Sequence, residues 1–459
     1  MNDLTVGKPI KILLRFSLPM LISMIFQQMY NVADSVIAGQ MISVDALAAI
    51  GAAYPATVLF LAVATGASVG CSVIVSLRFG QKDMEGVKSA VYTAFLSLTV
   101  LALVLTGLGF ATMKPLLRLI GTPTMIFHSS LQYLYVYLAG VVFVFLYNTA
   151  TAVFNALGDS RTPLYFLIFS SVLNVVLDLL FVVYIKNSVL SLAWATLLAQ
   201  GVSSVLATVT LLYRVHRIPT ARKVKHFDRG LLPIMAGIAI PSICQQSFVS
   251  VGIFLVQGII NDLGSVTVAA FSASLKISTF ACVLINTLPT ALTSYASQNI
   301  GAGRIDRVQE GVRGSIWIAE GLIVAINVLF FLCGEQLVGA FVSGTYQAEV
   351  IEQGARFLHI VAPFYTLIGV KNCYDSVLRG GGAMKQFMAT TFADLALRVV
   401  FSYACAQALG FYSICLAYPF GWVFGTLLSV VFFHMGRWKH APKQPRQPAP
   451  VTRPAMGKS

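Results

Sequence analysis

Charge is what this sequence lacks most: only 10% of its 459 residues are Asp, Glu, Lys or Arg, against roughly 25% in soluble domains. A chain so poor in charge cannot cover a water-soluble surface. Histidine is scarce, with 6 in the chain, and neither HExxH nor a His-rich cluster is present to support a metal-dependent enzyme. The 7 cysteines, at 71, 244, 282, 333, 373, 405 and 415, stand singly. Without a CxxC pair they hold no metal or redox centre and read as small buried side chains. No phosphate-binding loop of the GxxxxGK[ST] type occurs, so nothing points to ATP as an energy source.

What the chain has instead is apolar length. Hydrophobic residues make up 57% of it, and the mean hydropathy is +0.80. Runs of about 20 apolar residues or more recur from end to end, each able to cross about 30 Å of hydrocarbon as a helix. Turn residues and charges divide them into predicted spans near 12–37, 46–77, 89–113, 127–157, 163–185, 188–213, 231–260, 266–299, 310–333, 350–378, 387–409 and 411–436. The first is a membrane helix and not a signal peptide, because its apolar region is too long and its end carries Asn31 and Asp34. The expected fold class is all-α integral membrane with twelve transmembrane helices.

The net charge of +14 comes from 31 Lys and Arg spread through short loops and the tail, which indicates orientation in a lipid bilayer and no nucleic-acid partner. Arg78 with Lys82, Arg161, the linker YRVHRIPTARKVKHFDRG, Arg304 with Arg307, Arg379 with Lys385 and the tail from Arg437 fall on one side. QMISVD and NDLGSV on the other side carry neither Lys nor Arg, with Lys114 and Arg118 as exceptions. The positive-inside rule then puts both termini in the cytoplasm.

The basic linker divides the spans six and six. Its position implies an N-terminal lobe at 1–213, a cytoplasmic linker at 214–230, a C-terminal lobe at 231–436 and a Pro-rich, disordered tail at 437–459. Internal repetition supports the division. GQKDMEGVKSAV at 80–91 aligns without gaps on GAGRIDRVQEGV at 301–312, LAAIGAA at 47–53 parallels VAAFSAS at 268–274, and Pro19 answers Pro241. An even number of spans per half makes the repeats parallel, related by a pseudo-two-fold axis along the membrane normal. Two such lobes enclose a central cleft.

The polar groups inside the spans carry the functional information, because an ionised carboxylate in hydrocarbon is costly unless it lines a cavity or finds a partner. Gln27, Asn31 and Asp34 recur at i, i+4 and i+7 and share one helix face. Asn174 and Asp178 lie one turn apart on the fifth span, with Asp178 about 22 Å from its start. Thr196 on the sixth span returns to a similar level, roughly 12 Å in from the outer side. These residues meet either as a site for a proton or small hard cation, or as a hydrogen-bonded clamp between helices. A close Asp pair also resists double ionisation. Asp394 and Arg398, at i and i+4, are expected to pair, and Lys276 with Glu320 likewise. His359 reads as a hydrogen-bonding imidazole. Tyr30, Tyr54, Phe143, Tyr147, Phe154 and Phe248 are aromatics able to stack on flat organic cations.

SLPMLISMIFQQMYNVADSVIAGQ, RFGQKD, FNALGDSRTPLYFLIFSSVLNVVLD, AWAT and VLRGGGAMK together resemble bacterial multidrug and toxic compound extrusion (MATE) transporters of the DinF-like branch, over residues 8 to 436. The resemblance implies an antiporter of the bacterial inner membrane, not an enzyme. It would export drug-like, cationic amphipaths against H+ or Na+, with no cofactor and no obligatory protein partner. It implies an ion-coupling site at Asp34, Asn174, Asp178 and Thr196, the place for Na+ if sodium is the ion, with Gln27 and Asn31 as an accessory polar face and Pro19 as a conformational kink. A cation-binding acid on helix seven, found in some relatives, is absent here. Asp375, Lys276 and Arg398 remain as second-lobe candidates. A lipid-linked precursor flippase of related two-lobe fold is the alternative.

Overall fold

The computed structural model describes residues 2–37, 41–42, 44–184, 189–221, 223–342 and 347–440. Among them the chain forms only helices: α1 (Pro9–Ile37), α2 (Val44–Gly80), α3 (Met84–Leu119), α4 (Thr124–Ala156), α5 (Arg161–Tyr184), α6 (Val189–His216), α7 (Leu232–Asp262), α8 (Ser265–Gly301), α9 (Ile305–Gly339), α10 (Gln347–Val361), α11 (Tyr365–Gly380), α12 (Met384–Leu409) and α13 (Phe411–His434). On their described residues 10 of these are long and apolar enough to cross a membrane, and α7 adds the apolar stretch Leu232–Phe248. α10 and α11 make up the remaining span. The sequence predicts that span as one run over 350–378, but a 3-10 turn at Ala362–Phe364 breaks it. Pro363 has no N–H for the helical ladder, so the break falls there.

Contacts within α1–α6 and within α8–α13 form two lobes, while α7 packs on α12 and, across the lobes, on α2, and α1 and α2 also meet α8. The repeat seen in the sequence is a reciprocal contact in space. A Cβ on Gly80 would stand 2.0 Å from the Gln298 carbonyl oxygen, and one on Gly301 would stand 2.2 Å from that of Leu77. Gly80 aligns with Gly301 and Leu77 with Gln298, so each half presents the same backbone crossing to the other, as an approximate two-fold requires. The turns that follow match as well: Lys82 has φ 61 and its counterpart Gly303 has φ 71.

The lobes join at the end that carries the N-terminal segment. There α2 approaches α7 closely, and Cβ atoms on Gly66 and Gly70 would collide with Ile243 and Met235 backbone. Residues 2–7 strap this end across both lobes. The Asn2 amide donates to Leu157 O at 3.0 Å, Leu4 N donates to Gln298 Oε1 at 2.9 Å, and Arg304 donates to Thr5 O at 2.7 Å. Gln298 also donates to Ala156 O at 2.7 Å. Toward the other end of α2, the same helical face carries Pro55 and Leu59, both exposed. The face that packs on the partner lobe at one end is thus uncovered at the other.

The turn after α4 shows how a loop motif positions α5. Asp159 accepts from Thr162 N at 3.1 Å, from Thr162 Oγ1 at 2.7 Å and from Arg214 of α6 at 2.8 Å. Burial acts to raise this carboxyl, but the Thr162 hydrogen bonds and the Arg214 charge outweigh it and hold it below the usual carboxylate range. Its stabilisation is therefore complete above the unfolded value, about pH 4, and is lost as pH falls through the lower folded value. Asp159→Ala is expected to cost about 1 kcal/mol, as loss of a helix cap does. It should also flatten the acid limb of a thermal-stability profile against pH.

The first residues of the tail expected from 437 are structured. Arg437–Lys439 form a 3-10 turn, and Trp438, 0% exposed, stacks on Phe433 at 4.9 Å. Residues 441–459 lie outside the described residues.

Candidate functional site

α1 turns Leu14, Leu18, Met29, Val32 and Val36 outward, where all are exposed. By helical spacing Gln27, Asn31 and Asp34 lie on the opposite side. Gln27 and Asn31 are exposed there, away from the apolar face, and Asn31 donates to Gln28 Oε1 at 3.3 Å. Pro19 sits inside α1, and Ser23 Oγ donates to its carbonyl at 2.9 Å.

Asp34 meets α5. Asp178 is 0% exposed and Asn174 2%, whereas Val172, Val176, Leu179 and Val183 form the exposed face of the same helix. With its amide nitrogen toward the acids, Asn174 donates to Asp178 Oδ2 at 2.8 Å and to Asp34 Oδ1 at 3.1 Å. The other end of that amide lies 3.3 Å from Thr196 Oγ1. The two carboxyl groups thus stand side by side, bridged by one amide. Asp178 Oδ1 is buried and accepts from no protein donor, so its lone pairs are left to a proton or a cation. Asp34, Asn174, Asp178 and Thr196 are therefore brought together, as depth counting along the spans leads one to expect.

One neighbour of the cluster is absent from the sequence candidates for the site. Tyr30 enters the sequence reading as a stacking aromatic, but it stands beside Asp34 and Thr196. It sits one turn before Asp34, which was the available signal. Beside Thr196, a small cavity runs between α4 and α6, bounded by Tyr133, Tyr137, Gly140, Val144 and Gln200.

The second lobe differs. Asp375 accepts from Lys371 Nζ at 2.7 Å on one oxygen, and from Thr390 at 3.1 Å and Ser429 at 2.7 Å on the other. Lys371 is absent from the sequence candidates, although its i, i+4 spacing to Asp375 was readable. The expected Asp394–Arg398 pair forms at 2.9 Å, and the Arg398 guanidinium lies over Tyr418 at 4.6 Å. The expected Lys276–Glu320 pair does not form among the described residues. Counted from the α8–α9 turn, the two differ in level by about 15 Å. Lys276 instead lies over Phe341 at 5.8 Å. His359 is 3.1 Å from Phe330 O and stacks on Phe331, a hydrogen-bonded position as expected.

Residues 66–70 spell GASVG, the letters of a serine nucleophile elbow. They lie inside α2 and not on a strand-to-helix turn. Ser68 is 2% exposed and donates to Ala64 O at 2.7 Å, so it is a packed helix residue.

A two-lobe bundle of this topology, with polar groups gathered inside its spans, defines a polytopic membrane transporter. The MatE family profile matches residues 19–180 and again 241–404, so both halves match one profile, and the chain belongs to this family of transporters. A profile for the lipid II flippase MurJ matches residues 123–259. "Probable multidrug resistance protein YpnP" of Bacillus subtilis is 27% identical over 95% of this chain and 97% of its own length. The "FAD transporter" of Shewanella oneidensis is 24% identical over 66% of this chain and 68% of its own. A solved "outward-facing conformation of a multidrug resistance MATE family transporter" superposes with TM-score 0.89 at 23% identity, covering 95% of this chain and 97% of that one.

Proposed function

We propose that the protein is a secondary antiporter that exports amphipathic, cationic organic compounds in exchange for H+ or Na+ by alternating access. The observation that carries this reading is the contact between Asp34 and Asp178, made through Asn174 beside a buried oxygen with no protein donor. Such a pair takes up a proton or a small hard cation far more readily than it bears two bare charges. Gln27 and Asn31 provide a polar approach to it. Joined at one end and open at the other, the lobes have the form that rocking between two access states requires.

In this reading the joined end is cytoplasmic, because Arg78, Lys82, Arg304 and Arg307 gather there, and the cleft opens to the outside of a bacterial inner membrane. The basic linker at 214–230 divides the lobes. Names of relatives as multidrug resistance proteins support drug-like cargo. Efflux from proteoliposomes loaded with a planar fluorescent cation, under a pH gradient and a sodium gradient imposed separately, is expected to be driven by one of the two. Release at the same rate with no gradient would refute antiport, and efflux of a flavin dinucleotide in place of the dye would replace the proposed cargo.

The flippase profile match over 123–259 favours a second reading, export of a lipid-linked precursor. That match leaves out α1 with Asp34 and all of α8–α13. A pyrophosphate carrier calls for cations along its cleft, whereas the first lobe offers carboxyl groups.

A further inference from the structure

Four charged side chains of the second lobe are joined in one ion-paired group. Lys371 and Asp375 on α11 are each 5% exposed. Asp394 of α12 approaches the same ammonium at 4.0 Å and is held on its other oxygen by Arg398. Within the group two acids face two bases, and Arg379, one turn further along α11, adds a positive charge that acts on Asp375. α13 is cut back to admit it: a Cβ on Gly425 would stand 2.8 Å from Lys371 Cε, and one on Gly421 would stand 2.6 Å from Asp394 Oδ1.

We propose that Lys371 is the resident cation of this lobe, its ammonium standing where a mobile monovalent cation would otherwise be held between Asp375 and Asp394. Without the ammonium, the site consists of two carboxylates, with Thr390 and Ser429 donating to the far oxygen of Asp375 and fixing its orientation. Carboxylate oxygens are hard donors suited to Na+. Lys371 is tethered and cannot leave, so this site exchanges no ion. Stability alone does not explain the arrangement, since replacing a buried ion pair with apolar side chains is often neutral or stabilising. The inference rests on the reading that the Asp34–Asp178 pair is the coupling site, and it adds that the Asp375–Asp394 site is not a second one.

The test uses the full-length protein in nanodiscs, with radiolabelled Na+ as probe at alkaline pH. In an Asp34→Asn/Asp178→Asn background, Lys371→Met is expected to gain binding of one Na+ per protein. The gain should vanish when Asp375→Asn is added and should not appear with Lys371→Arg, which keeps the charge. A folded Lys371→Met protein that binds no more Na+ than its background overturns the proposal. If Lys371→Met does not fold, the background protein decides the matter: no Na+ binding supports the proposal, and binding abolished by Asp375→Asn overturns it. Failure of the first-lobe reading would be seen separately, as gradient-driven efflux that survives Asp34→Asn/Asp178→Asn, and leaves the Na+ result to stand by itself.

Discussion

Asp178→Asn is expected to reduce gradient-driven efflux to the passive leak of the vesicles while leaving the bundle folded. The amide has nearly the shape of the carboxyl and can still hydrogen-bond to Asn174 and Asp34, so the helix contacts at 0% exposure are kept. What it loses is the capacity to exchange a charge. A pair that shares a proton or holds a cation becomes a pair with a single ionisable member, and the ion can no longer be taken up and released in step with the lobes. Asp34→Asn should have the same consequence from the other side of the contact. The double variant should be no worse than either single one, because residues acting as a unit are not additive. Efflux at the parental rate in both single variants, with unchanged thermal stability, would assign the cluster to helix clamping. Lost efflux together with a large drop in the unfolding midpoint would indicate that the clamp dominates.

The second large effect is expected where the lobes cross. Gly80→Ala brings a methyl group to 2.0 Å from a carbonyl oxygen of the opposite lobe, and Gly301→Ala does the same at 2.2 Å. Both obstacles are backbone, so no side-chain rotation relieves them, and the helices themselves must part. Overpacking of this kind costs about 1–3 kcal/mol, a sizeable fraction of a typical stability. Since the joined end alternates with the open one in the proposed cycle, both substitutions should lower the unfolding midpoint and slow efflux. They should do so to similar extents because the contact is reciprocal. Gly107→Ala is the control: its Cβ meets nothing within 4 Å, and a helical Gly→Ala change there should be neutral or mildly stabilising. Equal behaviour of Gly80→Ala and Gly107→Ala in both assays would show that the close crossing has no functional weight.

These two sites differ in how far the primary structure reveals them. Asp34, Asn174, Asp178 and Thr196 are legible because helices rise by a constant 1.5 Å per residue, so residue number within a span gives depth. Polar atoms at one depth in hydrocarbon must find each other or water. Gly80 and Gly301 are visible only as aligned letters in a repeat. That each glycine faces the other half's backbone depends on how two rigid lobes cross, which no spacing within one helix encodes. The cluster around Asp375 falls between. Its pairing with Lys371 is local and readable as i, i+4, but Thr390 and Ser429 arrive from α12 and α13 and complete the carboxylate only after packing.

The sequence by itself determined that this is an all-helical membrane protein, where its spans run, that its halves repeat, and at what depth the first-lobe acids lie. Each of these follows from hydrophobicity and helical geometry, which act along the chain. The tertiary structure alone decided at which end the lobes join, that Tyr30 stands beside the acid pair, that Lys276 and Glu320 stand apart, and that an ammonium already sits on Asp375. Those outcomes depend on relative placement of helices, set by side-chain volume and backbone approach between segments distant in the chain.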